Sequence, residues 1–260
     1  MNVTSEEIMV SAAAAEIADG TAVFVGTGLP MLAAYLAKAT HAPGVTLVFE
    51  SGILDPKPRH LALGVGDFRL MSGATSVRGL YYVLSLLQRG VIHLGFLGAA
   101  EVDVFGNINS TIIGGDYRHP GKRLPGSGGA NDIASSARAT VIMCKHQPER
   151  LVERVQYLTS PGFLGGGDER ERSGLIGGGP RMIITDLAVF RFDPETKRAY
   201  VTSIHPGVDS QAVIDGAGFK VEIGPDVERT VLPENAAVDF LRAMDPTGVY
   251  LRGAKELARG

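Results

Sequence analysis

A chain of 260 residues, 45% hydrophobic and 20% charged, carries enough apolar side chains to bury a sizeable core, which excludes a natively disordered polymer. Its 25 basic and 28 acidic side chains sum to −3, and no basic stretch alternates with aromatics, so the electrostatic footprint of a nucleic-acid binder is absent. One cysteine, Cys144, rules out an internal disulfide and any metal site built on several thiolates.

The N-terminal MNVTSEEIMV lacks the basic-then-apolar pattern of a secretory signal, and no apolar run reaches the ~18–20 residues needed to cross a bilayer. A cytoplasmic protein without a membrane span is therefore expected. Glycine is frequent, 34 of 260 residues and nearly double the usual ~7%, and it clusters with proline in bends.

Ser5-Glu6-Glu7 opens a helix in which Ile8, Ala12, Ala15 and Ile17 roughly keep helical spacing, until Asp19-Gly20 stops it. Ala22–Val25 then reads as a strand, Gly26-Thr27-Gly28-Leu29-Pro30 as a turn, and Met31 to Lys38 as an alanine-rich helix. The unit recurs with a strand over Val45–Phe49, a helix over Tyr81–Arg89, and strands over Val91–Leu97 and Thr140–Cys144. Near-continuous apolar strands separated by helices imply an α/β fold, with a mostly parallel central sheet and helices on both faces.

Farther on, Arg181–Phe192 and Ala199–Ile204 flank the polar turn Asp193-Pro194-Glu195-Thr196-Lys197 as a C-terminal antiparallel hairpin. Pro233 to Met244 reads as a closing helix. No solenoid repeat and no low-complexity linker divides the chain, so a single domain over 1–260 is expected. Two stretches, Asn107–Asp132 and Thr159–Pro180, read as loops longer than ordinary connections, the mark of functional or mobile segments.

Glu50 is the first candidate for chemistry, because it follows the apolar strand directly and precedes Ser51-Gly52. That places a carboxylate at the carboxyl end of a parallel strand, the edge where open α/β sheets bind ligands. An ionised carboxylate can attack an activated carbonyl without a general base. The plainer alternative is a glutamate that caps a helix or faces water.

Gly126-Ser127-Gly128-Gly129-Ala130-Asn131 can lay backbone N–H groups around a developing oxyanion, or can be a simple flexible turn. Gly26-Thr27-Gly28 can receive an anion or a carbonyl at a helix N-terminus. Met31 stands where the third glycine of a dinucleotide fingerprint belongs, which argues against a Rossmann cofactor. Arg118, Lys122 and Arg123 form a basic patch that can meet phosphates or simply be solvated. His119 and His205 fit no metal-ligand spacing, and Cys144 closes an apolar strand as a buried hydrophobe would.

Taken together, GTGLP at 26–30, ESG at 50–52, GAAEVDVFGNINST at 98–111, PGSGGAND at 125–132 and TSPGF at 159–163 resemble the β subunit of glutaconate CoA-transferase. This is the glutamate-dependent, class I family of heteromeric CoA-transferases, and the likeness runs in order from about Glu6 to Asp245. The resemblance implies the family fold, with Glu50 as catalytic nucleophile. It implies that Gly128 and Gly129 belong to the oxyanion loop; Gly26 and Gly28, from their place between a strand and a helix, are expected to join them in oxyanion or CoA binding. It further implies a glutamyl-CoA thioester intermediate, ping-pong kinetics and coenzyme A as co-substrate, with no metal and no permanently bound cofactor. A separate α subunit would complete the site in an α2β2 assembly that takes an acyl-CoA and a small carboxylic acid.

Relatives of this fold include CoA-ester hydrolases and a decarboxylase in which the ESG glutamate is replaced. A hydrolase or carbon–carbon lyase is therefore the alternative activity, and a non-catalytic CoA-binding subunit a third. Just downstream, Ile53 to Pro58 departs from the family pattern and carries Lys57 near the expected site, where it bears on acyl specificity.

Overall fold

A computed structural model describes residues 2–251. Helix α1 (Ser5–Ala15) starts at a reciprocal cap, in which the Thr4 hydroxyl accepts from Glu7 N–H and the Glu7 carboxylate accepts from Thr4 N–H. There follow β1 (Ala22–Val25), α2 (Leu29–Ala39), β2 (Thr46–Phe49), β3 (Ile53–Leu54), β4 (Ser76–Val77) and α3 (Leu80–Gln88). The middle of the chain forms β5 (Leu94–Gly98), β6 (Glu101–Asp103), β7 (Ile108–Asn109), β8 (Ile112–Gly115), β9 (Pro120–Arg123), α4 (Ala130–Ser136) and β10 (Thr140–Met143). The last part holds β11 (Leu151–Val152), α5 (Glu169–Arg172), β12 (Pro180–Ile184), β13 (Ala188–Phe192), β14 (Ala199–Ile204), α6 (Ser210–Asp215), β15 (Ile223–Arg229) and α7 (Asn235–Met244).

Among the described residues the main sheet has ten strands, in the order β15-β14-β13-β12-β10-β5-β1-β2-β3-β4. The central strands from β12 to β2 are parallel to their neighbours, as their apolar sequences demand. Successive side chains on these strands serve two cores. Val23, Val25, Leu47, Phe49, Phe96 and Val141 pack on the face of α1, α2 and α7, with Met9, Leu32, Leu36 and Leu241. Phe24, Val48, Leu97 and Ile142 pack on the opposite face with Val83 and Leu87 of α3 and Ile133 of α4.

Antiparallel pairs flank the parallel core on both sides instead of at the C-terminal end alone, β12-β13-β14 on one side and β2-β3-β4 on the other, and the edge strand β15 runs parallel to β14. The single strand expected over Arg181–Phe192 is two, because Thr185 Oγ1 accepts N–H groups of Leu187 and Ala188 and turns the chain there. Strand β5 begins at Leu94 rather than Val91; His93 instead ties the start of β1, its Nδ1 accepting from Ala22 N–H. Neither long stretch is an unstructured loop. Asn107–Asp132 contains a projecting β8–β9 hairpin, turned where Asp116 Oδ1 accepts from Arg118 and His119 N–H, and Thr159–Pro180 contains α5.

Candidate functional site

In the β1–β2 register Val25 lies opposite Phe49, so Gly26 and Glu50 emerge side by side at the carboxyl edge of the sheet. Gly52 N–H then donates to Phe49 O at 3.0 Å, and Arg78 N–H donates to Gly52 O at 2.7 Å. Gly52 has φ +90°, and a Cβ there would lie 2.0 Å from Arg78 O, so only glycine can end the Glu-Ser-Gly turn. The turn leaves Glu50 half-buried, with its carboxylate directed at the start of α4.

There Gly129 N–H donates to Glu50 Oε1 at 3.1 Å. A Cβ on Gly128 would stand 3.0 Å from Oε1, and one on Gly129 3.3 Å from Cδ, so both glycines face the carboxylate directly. Absence of side chains at 128 and 129 is what lets the backbone approach. The result is a carboxylate beside a fixed N–H donor, an arrangement that can present a nucleophile and polarise a carbonyl oxygen.

A hydrogen-bonded frame holds the glycine loop in place. Ser110 Oγ donates to Gly126 O at 3.0 Å, and Gly126 N–H returns to Ser110 O at 2.9 Å. Asn131 Nδ2 donates to Thr159 O at 2.9 Å, while Thr159 Oγ1 accepts from Ser110 N–H at 2.9 Å. Behind α4 the buried Arg170 guanidinium donates to five carbonyl oxygens, those of Pro161, Gly162, Gly177, Ala134 and Ser135. Burial pulls its pKa down to about 10, which leaves it a cation at neutral pH, at the helix end where a cation is favoured. Arg170 thus fixes the far end of the helix whose first N–H meets Glu50.

Ser110, Asn131, Thr159 and Arg170 are not singled out by the sequence reading, although three of them fall inside motifs it quotes. In those motifs Asn107 and Asn109 are also clamps. Asn107 Nδ2 donates to Asp103 and its Oδ1 accepts from Gly162 and Leu164, while Asn109 Nδ2 donates to Glu101 at 2.7 Å.

Other sequence candidates are placed differently. Gly26 lies in close strand contact, its missing Cβ 3.1 Å from Phe96 O, whereas the open side of Gly28 is covered by the Tyr250 ring at 3.7 Å. Lys57 is not near Glu50. Strand β3 runs back along β2, with Leu54 opposite Val48 and Asp55 N–H on Leu47 O, and so carries Lys57 toward the far edge of the sheet. Burial pushes the Cys144 thiol up to about 12, so it is inert. His205 is buried between Thr230 Oγ1 and Thr185 O, and His119 is exposed on the hairpin. Among the described residues no group of three His, Cys, Asp or Glu side chains is arranged to hold a metal. No helix among them is long and apolar enough to cross a membrane. Cavities of about 640 Å³ beside Asp103 and Asn107, and about 470 Å³ beside α1, are lined by residues other than Glu50.

Comparison with known proteins places the chain in a family. The coenzyme A transferase family profile matches residues 7–216. The β subunit of 3-oxoadipate CoA-transferase from Pseudomonas knackmussii is 42% identical over 93% of both chains. The β subunit of glutaconate CoA-transferase from Acidaminococcus fermentans is 36% identical over 96% of both. The crystal structure of the latter enzyme superposes with a TM-score of 0.89 at 33% identity, covering 96% of this chain and 98% of that one. A structure of the decarboxylase AibA/AibB also matches, with a TM-score of 0.83 at 28% identity over 96% of this chain and 98% of that one. The chain belongs to the coenzyme A transferase family.

Proposed function

We propose that this chain is the β subunit of a heteromeric CoA-transferase that moves coenzyme A between an acyl-CoA and a dicarboxylic acid, with Glu50 as the nucleophile. The observation that carries this reading is the Glu50 carboxylate held by Gly129 N–H at 3.1 Å on the carboxyl edge of a parallel sheet. Glu50 attacks the donor thioester carbonyl, the C–S bond breaks, and CoA thiolate leaves a mixed anhydride. The thiolate then attacks the Glu50 Cδ carbonyl and releases the donor as a carboxylate, giving a glutamyl-CoA thioester. An acceptor carboxylate runs the same steps in reverse. Each nucleophile and each leaving group is an anion, so no proton moves and no general base is needed. The Gly129 N–H, freed when Glu50 is acylated, stabilises the developing oxyanion together with the Gly128 backbone, and Gly26, next to Glu50 at the end of β1, is the remaining oxyanion or CoA-binding candidate, Gly28 being covered by Tyr250.

The two relatives compared by sequence are named for dicarboxylates, 3-oxoadipate and glutaconate, which supports an acid of that class, and each is the β subunit of its enzyme. The half-buried position of Glu50, outside the cavities described, fits a site completed by a separate α subunit in an α2β2 assembly. We read residues 1–260 as one domain, acting in the cytoplasm with coenzyme A as co-substrate and no resident cofactor.

Initial-rate kinetics of the chain with its partner subunit test the proposal. Parallel double-reciprocal lines, strict dependence on an acid acceptor and loss of transfer in an assembled Glu50→Ala variant are expected. Acyl-CoA consumed without an acceptor would overturn it in favour of a hydrolase or a decarboxylase. An unchanged rate in Glu50→Ala would leave a CoA-binding subunit.

A further inference from the structure

We infer that Tyr250 is a positioning residue for the Glu50 site, set by Asp245 in a strap that follows α7 and holds the β1–α2 loop beside the nucleophile, an inference whose kinetic consequence rests on the CoA-transfer reading. Gly26 and Glu50 leave the sheet at the ends of adjacent strands, ~4.8 Å apart. Whatever fixes residues 26–28 therefore fixes one wall of the reacting centre. Little within the loop does so. Gly28, with φ +89°, opens α2 without any side-chain cap, and only the Met31 and Leu32 N–H groups reach its carbonyl oxygen, at 3.0 and 3.4 Å.

The cover over Gly28 comes from the far end of the chain, where Cε1 and Cδ1 of Tyr250 lie 3.7 and 3.8 Å from the position a Cβ would take. The same ring, like Leu29, packs against the core shared by α1, α2 and α7. Its hydroxyl donates to Ala62 O at 2.9 Å, and Ala62 is fully buried in the connection between β3 and β4. One side chain thus joins the end of α7, the start of α2 and the segment that follows β3, and both of the segments it touches flank the Glu50 turn.

Close packing alone does not set the ring. Tyr250 borders a cavity of about 260 Å³ together with Leu61, Leu63, Met244 and Val249, so part of its surroundings is unfilled. The backbone of the strap supplies the constraint. Asp245, buried at the end of α7, accepts from Val249 N–H at 3.0 Å and from Tyr250 and Leu251 N–H at 2.9 Å each. Gly248 N–H donates to the Asp245 carbonyl oxygen at 2.9 Å, and Leu251 is buried in the core just beyond. Bonds to an ionised acceptor are the stronger kind, and three of them on one carboxylate wind residues 245–251 into a closed turn that aims Tyr250 at the loop.

The test compares wild type with Tyr250→Ala, Tyr250→Phe and Asp245→Asn, each assembled with the partner subunit. Tyr250→Ala uncovers Gly28 and cuts the tie to Ala62, while Asp245→Asn turns one acceptor oxygen into a donor and releases the strap by an independent route. Both should lower kcat by about 10- to 100-fold, since a displacement of ~1 Å near the reacting atoms is enough. Tyr250→Phe keeps the ring over Gly28 and should restore most of kcat, although it loses the bond to Ala62 and melts at a lower temperature. A merely structural role would lower the melting temperature in all three and leave kcat untouched. Amide exchange of peptides covering residues 26–32, read by mass spectrometry without turnover, should quicken in Tyr250→Ala and Asp245→Asn but not in Tyr250→Phe. If wild type passes coenzyme A to no acid, the transfer reading fails, and the exchange comparison still decides whether the strap holds the loop. Unchanged exchange over 26–32, wild-type kcat in Tyr250→Ala, or a kcat for Tyr250→Phe as low as that of Tyr250→Ala would overturn the inference. Loss of the partner subunit from the variants would overturn it too, by making the strap a subunit contact.

Discussion

Replacing Gly129 with alanine adds one methyl group, whose ideal position lies 3.3 Å from Glu50 Cδ and 3.4 Å from Cγ and Oε2. Carbon contacts settle at ~3.5–4.0 Å, so the carboxylate has to retreat by a few tenths of an ångström and its bond to the Gly129 N–H weakens. The backbone itself is indifferent, since φ −78° and ψ 0° at Gly129 are open to alanine. Alanine is a poorer cap than glycine by roughly 1 kcal/mol, and its stiffer unfolded chain offsets ~0.4–1 kcal/mol of that. Stability should therefore move by less than about 1 kcal/mol, whereas activity should not be spared. A misplaced nucleophile and a weakened oxyanion donor together set an expected loss of roughly 10- to 1,000-fold in kcat. A thermal melt and steady-state rates on the assembled enzyme read the two quantities separately. Wild-type kcat with the methyl group in place would refute the idea that Glu50 and Gly129 act as one unit.

Gly52→Ala should be far more damaging, because φ +90° and a Cβ 2.0 Å from Arg78 O combine strain with overlap; a loss of about 3 kcal/mol or more is expected in urea melts. Arg170→Met leaves five carbonyl oxygens without their buried donor and should cost about 3 kcal/mol or more. Its kcat should fall too, since α4 is then held at one end only. His146 and His205 are buried, and burial holds both pKa values below the usual range. The unfolded chain therefore binds more protons than the folded one once pH drops below ~6.5. Stability should be level above that point and fall below it, by up to about 1.4 kcal/mol per pH unit for each histidine, until the folded-state pKa is reached. Urea midpoints at pH 7.5 and pH 5.5 check the sign, and equal midpoints would contradict it.

The parallel core was legible because its strands are short, apolar runs between helices, and because Glu50 follows one of them without a break. Residues that meet through the fold were harder to read. Nothing local to Gly128 or Gly129 says that Glu50 lies against them, and the ordered family motifs were needed to connect the two segments. Arg170 is the clearest omission, since Glu-Arg-Glu-Arg reads as a solvated helix turn and only the fold turns one guanidinium inward among carbonyl oxygens. Lys57 erred for a related reason. Nearness to Glu50 along the chain suggested nearness in space, but a tight turn reversed the strand and carried the lysine away. The break at Thr185 was hidden because a threonine within an apolar run looks like one more strand residue until its hydroxyl is seen accepting two backbone N–H groups.

Borohydride trapping tests the central claim most directly. The chain, assembled with its partner subunit, is incubated with dicarboxylic acyl-CoA donors, reduced, and mapped by mass spectrometry. Reduction of the Glu50 carboxyl to an alcohol, dependent on acyl-CoA and absent in Glu50→Gln, is the expected result. Acyl-CoA consumed while Glu50 stays unmodified would contradict a covalent glutamyl-CoA intermediate.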